Sequence, residues 1–221
     1  MAKIKFFDGR DPIDLGEKTI AKTVEKSVEL GADLSWADLR EADLRGINFK
    51  RANLRFSDLR GSDLRGSDLR GSDLRYADLS GANLSFSNIN WADLSGANLS
   101  RADLSKAQLI ASNFYAANLN MACLNDAVLY EADLFTVNLN HASLIGAEIT
   151  GSGWPLTDVE NGVKIDKRIF CQLLYHTLRA GQSVDDPEVK RLFEIPEVVN
   201  LANQFRRVDE CGKIEEQNGK A

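Results

Sequence analysis

The residues with the most chemistry in them form two ranks of opposite charge. In the stretch DLRGSDLRGSDLRGSDLR, Asp58 to Arg75, an aspartate and an arginine flank each leucine, and the arrangement recurs every five residues. Carboxylates can act as general acid and base, but hydrolysis needs an isolated pair in differing environments rather than a rank along the chain. Asp and Asn also bond neighbouring backbone groups in turns, and that is the role expected here. The cationic rank is Arg40, Arg45, Lys50, Arg55, Arg60, Arg65, Arg70 and Arg75. A nucleic-acid site gathers positive charge on one face. Here residues 32–75 carry nine basic and eight acidic side chains, so surface ion pairing is expected, with no direct nucleic-acid binding.

Other reactive side chains are sparse. Cys123, Cys171 and Cys211 share no metal-like spacing and read as reduced, structural thiols. Cys171 and His176 lie five apart on an apparent helix and point in different directions. His141 has no companion with ligand spacing, so no metal site is expected. The glycines at 61, 66 and 71 follow the five-residue period and form no phosphate loop. No catalytic residue and no cofactor is assigned, and the chain reads as not an enzyme.

The elements that position these ranks follow from counting. From Leu34 to Ile149 every fifth residue is Leu, Phe or Ile, giving 24 consecutive units. Two residues earlier stands Ala or Ser, with Ile47 and Val137 the exceptions. An α-helix would rotate successive leucines by about 140°, and a strand would alternate their faces. Neither period buries the pattern, so the chain must coil on its own repeat.

The unit A(D/N)Lxx, as in ADLSG at Ala92–Gly96, resembles the pentapeptide-repeat proteins, and the resemblance covers Ala32 to Gly151. It implies an all-β right-handed quadrilateral β-solenoid, four units to a coil and about six coils, roughly 29 Å long at strand spacing. The large central residue and the small one two before it would point inward, the other three outward. Ser57, Ser62, Ser67 and Ser72 then fall inside, one on each side of the shaft, and their hydroxyls must bond backbone groups.

With 20 residues per coil, Trp36, Phe56 and Tyr76 should stack as an outward column. Tyr115 and Phe135 belong to the same side, and Ile110 and Tyr130 to the adjoining one. Large apolar groups on a charged surface mark contacts. The first three are expected to bind a partner, and the other four to be covered by terminal segments or a dimer. Residues 76–151 hold two basic and seven acidic side chains. Asp93, Asp103, Asp126, Glu131 and Asp133 join the candidate partner surface on that account.

The solenoid needs capped ends. Residues 1–31 read as a short strand, KIKFF, then a helix from Thr19 to Leu30 closed by Gly31, with Ile20, Val24, Val28 and Leu30 on one stripe. Residues 32–151 are the repeat. Residues 152–211 read as helical, with Ile169, Phe170, Leu173 and Leu174 as a covering or dimer face, and 212–221 as a disordered tail.

These features point to a protein-binding module over an enzyme. Within the family, the quinolone-resistance proteins imitate duplex DNA and bind type II topoisomerases. Their rods are acidic throughout, whereas this one begins Arg-rich. The helix, the GADLxxADL entry and the helical tail are similar to phage and prophage members. The implied function is a cytoplasmic bacterial or phage effector that binds a host protein, a DNA-acting enzyme being one candidate. The alternative is an assembly protein that self-associates, as a homodimer, through its helical region. No membrane partner is expected, since no stretch approaches the roughly 20 apolar residues of a span.

Overall fold

The computed structural model describes residues 1–149 and Ser152, and the readings of 153–221, Ile169, Phe170, Leu173 and Leu174 included, lie outside them. The chain divides into two compact units, Met1–Lys164 and Ile165–Ala221, and the description below is of the first.

From Asp38 onward the residue before each central Leu pairs in parallel with the residue 20 further on, from Asp38 with Asp58 through to Val128 with Glu148. That register makes four five-residue units one coil of a β-solenoid. Its sides are named here by the central residues that open them: the Leu34, Leu39, Leu44 and Phe49 sides. The central residues from Leu34 to Leu144 are at most 1% exposed, and Ala or Ser two before them is buried from Ala52 to Ala147. A shaft this narrow admits one large side chain per unit, so its neighbour must be small. Ile47 and Val137 are buried too.

The unit around Leu64 accounts for all five of its backbone N–H groups. Leu64 and Gly66 donate forward to Asn83 and Ser85, Asp68 donates back to Ile47, and Ser67 closes a turn onto Leu64, all at 2.7–3.1 Å. The fifth N–H, that of Arg65, has no backbone acceptor and goes to Asp63 Oδ1 at 3.2 Å. An N–H without a backbone acceptor is satisfied by a side chain or by water. The Asp and Asn rank therefore has a structural role, supplying that side-chain acceptor in most units.

The turn has its own demand. At every fifth residue from Trp36 to Gly146, two past the central one, φ is positive. A positive third residue and an i to i+3 bond make a type II turn. Glycine suits that corner, yet Trp36, Phe56 and Tyr76 occupy it at φ 60°, 55° and 58°.

At the N-terminal end, β1 (Lys5–Phe6) runs antiparallel to β2 (Ala37–Asp38), and Phe7 N–H extends the pairing to Trp36. Helix α1 (Ile20–Glu29) is capped by Thr19, whose side chain accepts the N–H of Lys22. Thr23, Val24 and Ser27 are its buried face, while Ile20 and Val28 are half-buried. Leu30, expected on that stripe, is instead 67% exposed, because it is the C-cap and the helix has already ended. The backbone edge at residues 36–38 is paired by β1.

Candidate protein-binding surfaces

The corner conformation turns its side chain outward and repeats it once per coil. On the Leu34 side this places Trp36, Phe56 and Tyr76 in one column. Their rings stack at 4.6 and 5.3 Å between centroids, with interplanar angles of 16° and 8°. Trp36 is 40% and Tyr76 58% exposed, and the Arg55 guanidinium lies 5.5 Å over the Phe56 ring. The column ends on Gly96, where a Cβ would lie 2.5 Å from the Tyr76 ring.

Tyr115 and Phe135 lie on the same side but one position before the corner, exposed and outside the column. On the Phe49 side Ile110 is half-buried and Tyr130 exposed. Two aromatic residues escaped sequence reasoning: Phe86 and Trp91, 64% and 62% exposed. They occupy adjacent corners at the same repeat position as Trp36, and that shared position was the signal that could have found them. Lys106 Nζ stands 5.4 Å from the Phe86 ring.

The expected ion pairs form. Arg40, Arg45, Arg60, Arg65, Arg70 and Arg75 reach back to the carboxylate two residues earlier, at 2.8 Å for Arg40–Asp38, 2.7 Å for Arg45–Asp43 and 2.6 Å for Arg65–Asp63. Several also approach the next coil, Arg40–Asp58 at 3.7 Å and Arg75–Asp93 at 3.6 Å. Hydrogen bonds from Arg40, Arg65 and Arg70 hold the carboxyls of Asp38, Asp63 and Asp68 below the usual range, and Arg45 holds Asp43 at about 2. Arg55 follows Asn53 instead of an aspartate. Its buried Nε lacks a hydrogen-bond partner, and the nearest carboxylate is that of Asp73 at 4.0 Å.

Among the described residues the ion pairs reach no further than Asp93. Asp103, Asp126, Glu131 and Asp133 form no ion pair there, although Lys106 occupies the same corner as Asp126 one coil earlier. These acids do not share one face. By the 20-residue register Asp93 and Asp133 lie on the Leu34 side with the aromatic column, Asp103 and Asp126 on the opposite Leu44 side, and Glu131 on the Phe49 side. The far half is thus negative around the rod.

Cys123 is a free, half-buried thiol in the row that runs from Asp43 through Asp103, and His141 is an exposed corner residue. Among the described residues no group of three or more His, Cys, Asp or Glu side chains could hold a metal ion, and no helix is long and apolar enough to cross a membrane.

A family model of pentapeptide repeats matches in eight copies, over residues 32–71, 62–101, 92–129 and 112–151. No curated protein sequence matches the chain. Among solved structures, a trypsin-treated variant of QnrB1, a plasmid-mediated fluoroquinolone resistance protein, is 20% identical over 65% of this chain and 83% of its own, with a TM-score of 0.41. A pentapeptide repeat protein from the Arabidopsis thaliana thylakoid lumen is 25% identical over 61% of this chain and 78% of its own, with a TM-score of 0.34. HetL, involved in heterocyst differentiation regulation in a Nostoc cyanobacterium, is 29% identical over 61% and 81%, with a TM-score of 0.18.

Proposed function

Since the chain belongs to the pentapeptide-repeat family and folds as its right-handed β-solenoid, we propose that it is a non-enzymatic module that binds a protein partner. The observation that carries this reading is the stacked column of Trp36, Phe56 and Tyr76, held on the shaft with Trp36 and Tyr76 exposed among charged side chains. Fixed aromatic groups contribute contact area at little entropic cost, which suits them to a partner's pocket.

The finer reading concerns the partner. Beyond Asp93, carboxylates outside any ion pair among the described residues run around the far half of the rod, as phosphates run around a duplex. We infer a partner with a basic, DNA-binding surface, a DNA-acting enzyme of a bacterial host such as a type II topoisomerase, with this protein acting as a bacterial or phage effector in the cytoplasm. The Arg–Asp pairs of the near half keep that end electrically quiet.

The two readings separate experimentally. Retention of purified bacterial type II topoisomerase on the immobilised protein is expected at low salt, reversed by duplex DNA and by neutralising Asp103, Asp126, Glu131 and Asp133 to their amides. No retention overturns the DNA-like reading. The broader one is tested by comparing proteins captured from lysate by the native chain and by the Trp36→Ala, Tyr76→Ala variant. A protein lost from the variant supports the column as the contact. Identical captures, or only self-association, reject it.

A further inference from the structure

On the Leu39 side the two charged rows that flank the central leucines stop halfway along the rod. The row before the central leucines changes from Asp38, Asp58 and Asp78 to Asn98, Asn118 and Asn138. The row after them changes from Arg40 and Arg60 to Ser80, Ser100, Asn120 and Asn140. The asparagines form an amide ladder. Asn98 Nδ2 donates to Asp78 Oδ1 at 3.1 Å, Asn118 to Asn98 at 3.2 Å, and Asn138 to Asn118 at 3.2 Å.

The Oδ1 atoms of Asn98, Asn118 and Asn138 also accept the backbone N–H two residues on, at 3.2, 3.1 and 3.0 Å. Their oxygens are therefore occupied, and each amide retains one N–H. Beside them the Ser100 hydroxyl and the Asn120 and Asn140 amides have no partner among the described residues. An open depression runs over the strip, floored by Ser80, Ser100, Asn118, Asn120 and Asn138, with Arg101 and the half-exposed thioether of Met121 also lining it.

The strip presents fixed, neutral donors and acceptors repeating at the coil spacing of about 4.8 Å. A phosphate or peptide carboxylate would find one arginine there, and an apolar segment would bury unpaired amides at a cost. A chain of hydroxyls meets both rows without desolvating a charge. In a β-1,4-linked polysaccharide the sugars recur at nearly the coil spacing, so successive sugars can meet successive rows, and the thioether can pack on a pyranose face. We propose that this strip binds a neutral β-1,4-linked saccharide chain lying along the rod. The site is separate from the aromatic column and does not depend on the protein-binding reading.

The test is electrophoresis of the full chain in native gels cast with hydroxyethyl cellulose, compared with gels containing dextran or no polysaccharide. Retardation is expected with the β-1,4 polymer alone. The Ser100→Arg, Asn120→Arg variant installs the residue that Arg40 and Arg60 already place in this row, so the fold should tolerate it. It should weaken apparent affinity about tenfold, the loss of one or two neutral hydrogen bonds. Asn120→Ala should move it in the same direction, with melting midpoint and circular dichroism unchanged. Equal mobility of the native chain in all three gels overturns the proposal, as does retardation that neither variant weakens.

Discussion

The side-chain oxygen of Asn90 accepts the backbone N–H of Ile110 across one coil, at 2.7 Å. In most units that N–H is satisfied by an Asp or Asn two residues earlier, but Gln108 stands there and its longer side chain does not make the bond. Asn125 does the same for Ile145, whose own unit has Ser143 in place of the Asx residue. The N–H after the central residue is met locally in most units and, at Ile110 and Ile145, from the neighbouring coil.

Asn90→Ala should therefore cost more than its surface suggests. Asn90 is 8% exposed, and the substitution leaves an N–H without its acceptor at about 1–3 kcal/mol. Asn90→Asp keeps the acceptor and should be much milder. Hydrogen exchange at the Ile110 amide should accelerate in the alanine variant only. Equal melting midpoints for the two variants would remove the argument.

The buried serines give a contrasting pair. Ser62 Oγ donates to Leu59 O at 2.7 Å, as Ser57, Ser72, Ser87 and Ser112 do to their own leucines. Ser67 Oγ is buried without a partner. Ser67→Ala is expected to be neutral or stabilising, Ser62→Ala to lose about 0.5–1.5 kcal/mol. Thermal denaturation of the two variants decides it, and the reverse order would show that the Ser67 hydroxyl is satisfied after all.

Much of this molecule was legible because five is an unusual period. Leu34 to Ile149 had to face inward, and the coil of 20 residues that follows put Trp36, Phe56 and Tyr76 in contact. The corner conformation was hidden, since Gly61, Gly66 and Gly71 advertise it while Trp36 and Phe56 adopt it without glycine. Phe86 and Trp91 were missed for that reason. Asn90 was missed because it occupies a position that arginine fills elsewhere, and position alone does not tell a side chain pointing to solvent from one bonding the next coil. The edge pairing by β1 depends on a chain reversal between Phe7 and Ile20 that carries no periodic signal.

The arginine pairs predict an acid limit. Asp38, Asp43, Asp63 and Asp68 have carboxyls held below their ordinary value by hydrogen bonds from Arg40, Arg45, Arg65 and Arg70, with Asp43 at about 2. A depressed folded-state pKa contributes stability that is complete above the unfolded value of about 3.9 and is lost as pH falls through the folded one. The melting midpoint should stay level from pH 7 to about 5 and fall between about 4 and 2. These pairs are solvent-exposed, so the fall should be smaller at high salt. Arg45→Gln should return Asp43 toward the ordinary range in a carboxyl titration by NMR; an unchanged Asp43 would assign its depression to another source.

Tyr76 and Gly96 should be energetically coupled. The Tyr76 ring fills the space that a side chain at the next corner would take, 2.5 Å from where a Cβ would stand, and Gly96 itself has φ 67°. Gly96→Ala therefore meets two obstacles. Left-handed backbone costs about 1–2 kcal/mol for a residue with a Cβ, and the ring must move, loosening the stack on Phe56. In a Tyr76→Ala background only the first obstacle remains. A double-mutant cycle on unfolding free energy should give a coupling of about 0.5–3 kcal/mol, the range for residues in contact, with the alanine costing more when the tyrosine is present. Additive effects would mean that the ring yields freely and that the aromatic column ends at Gly96 without depending on it.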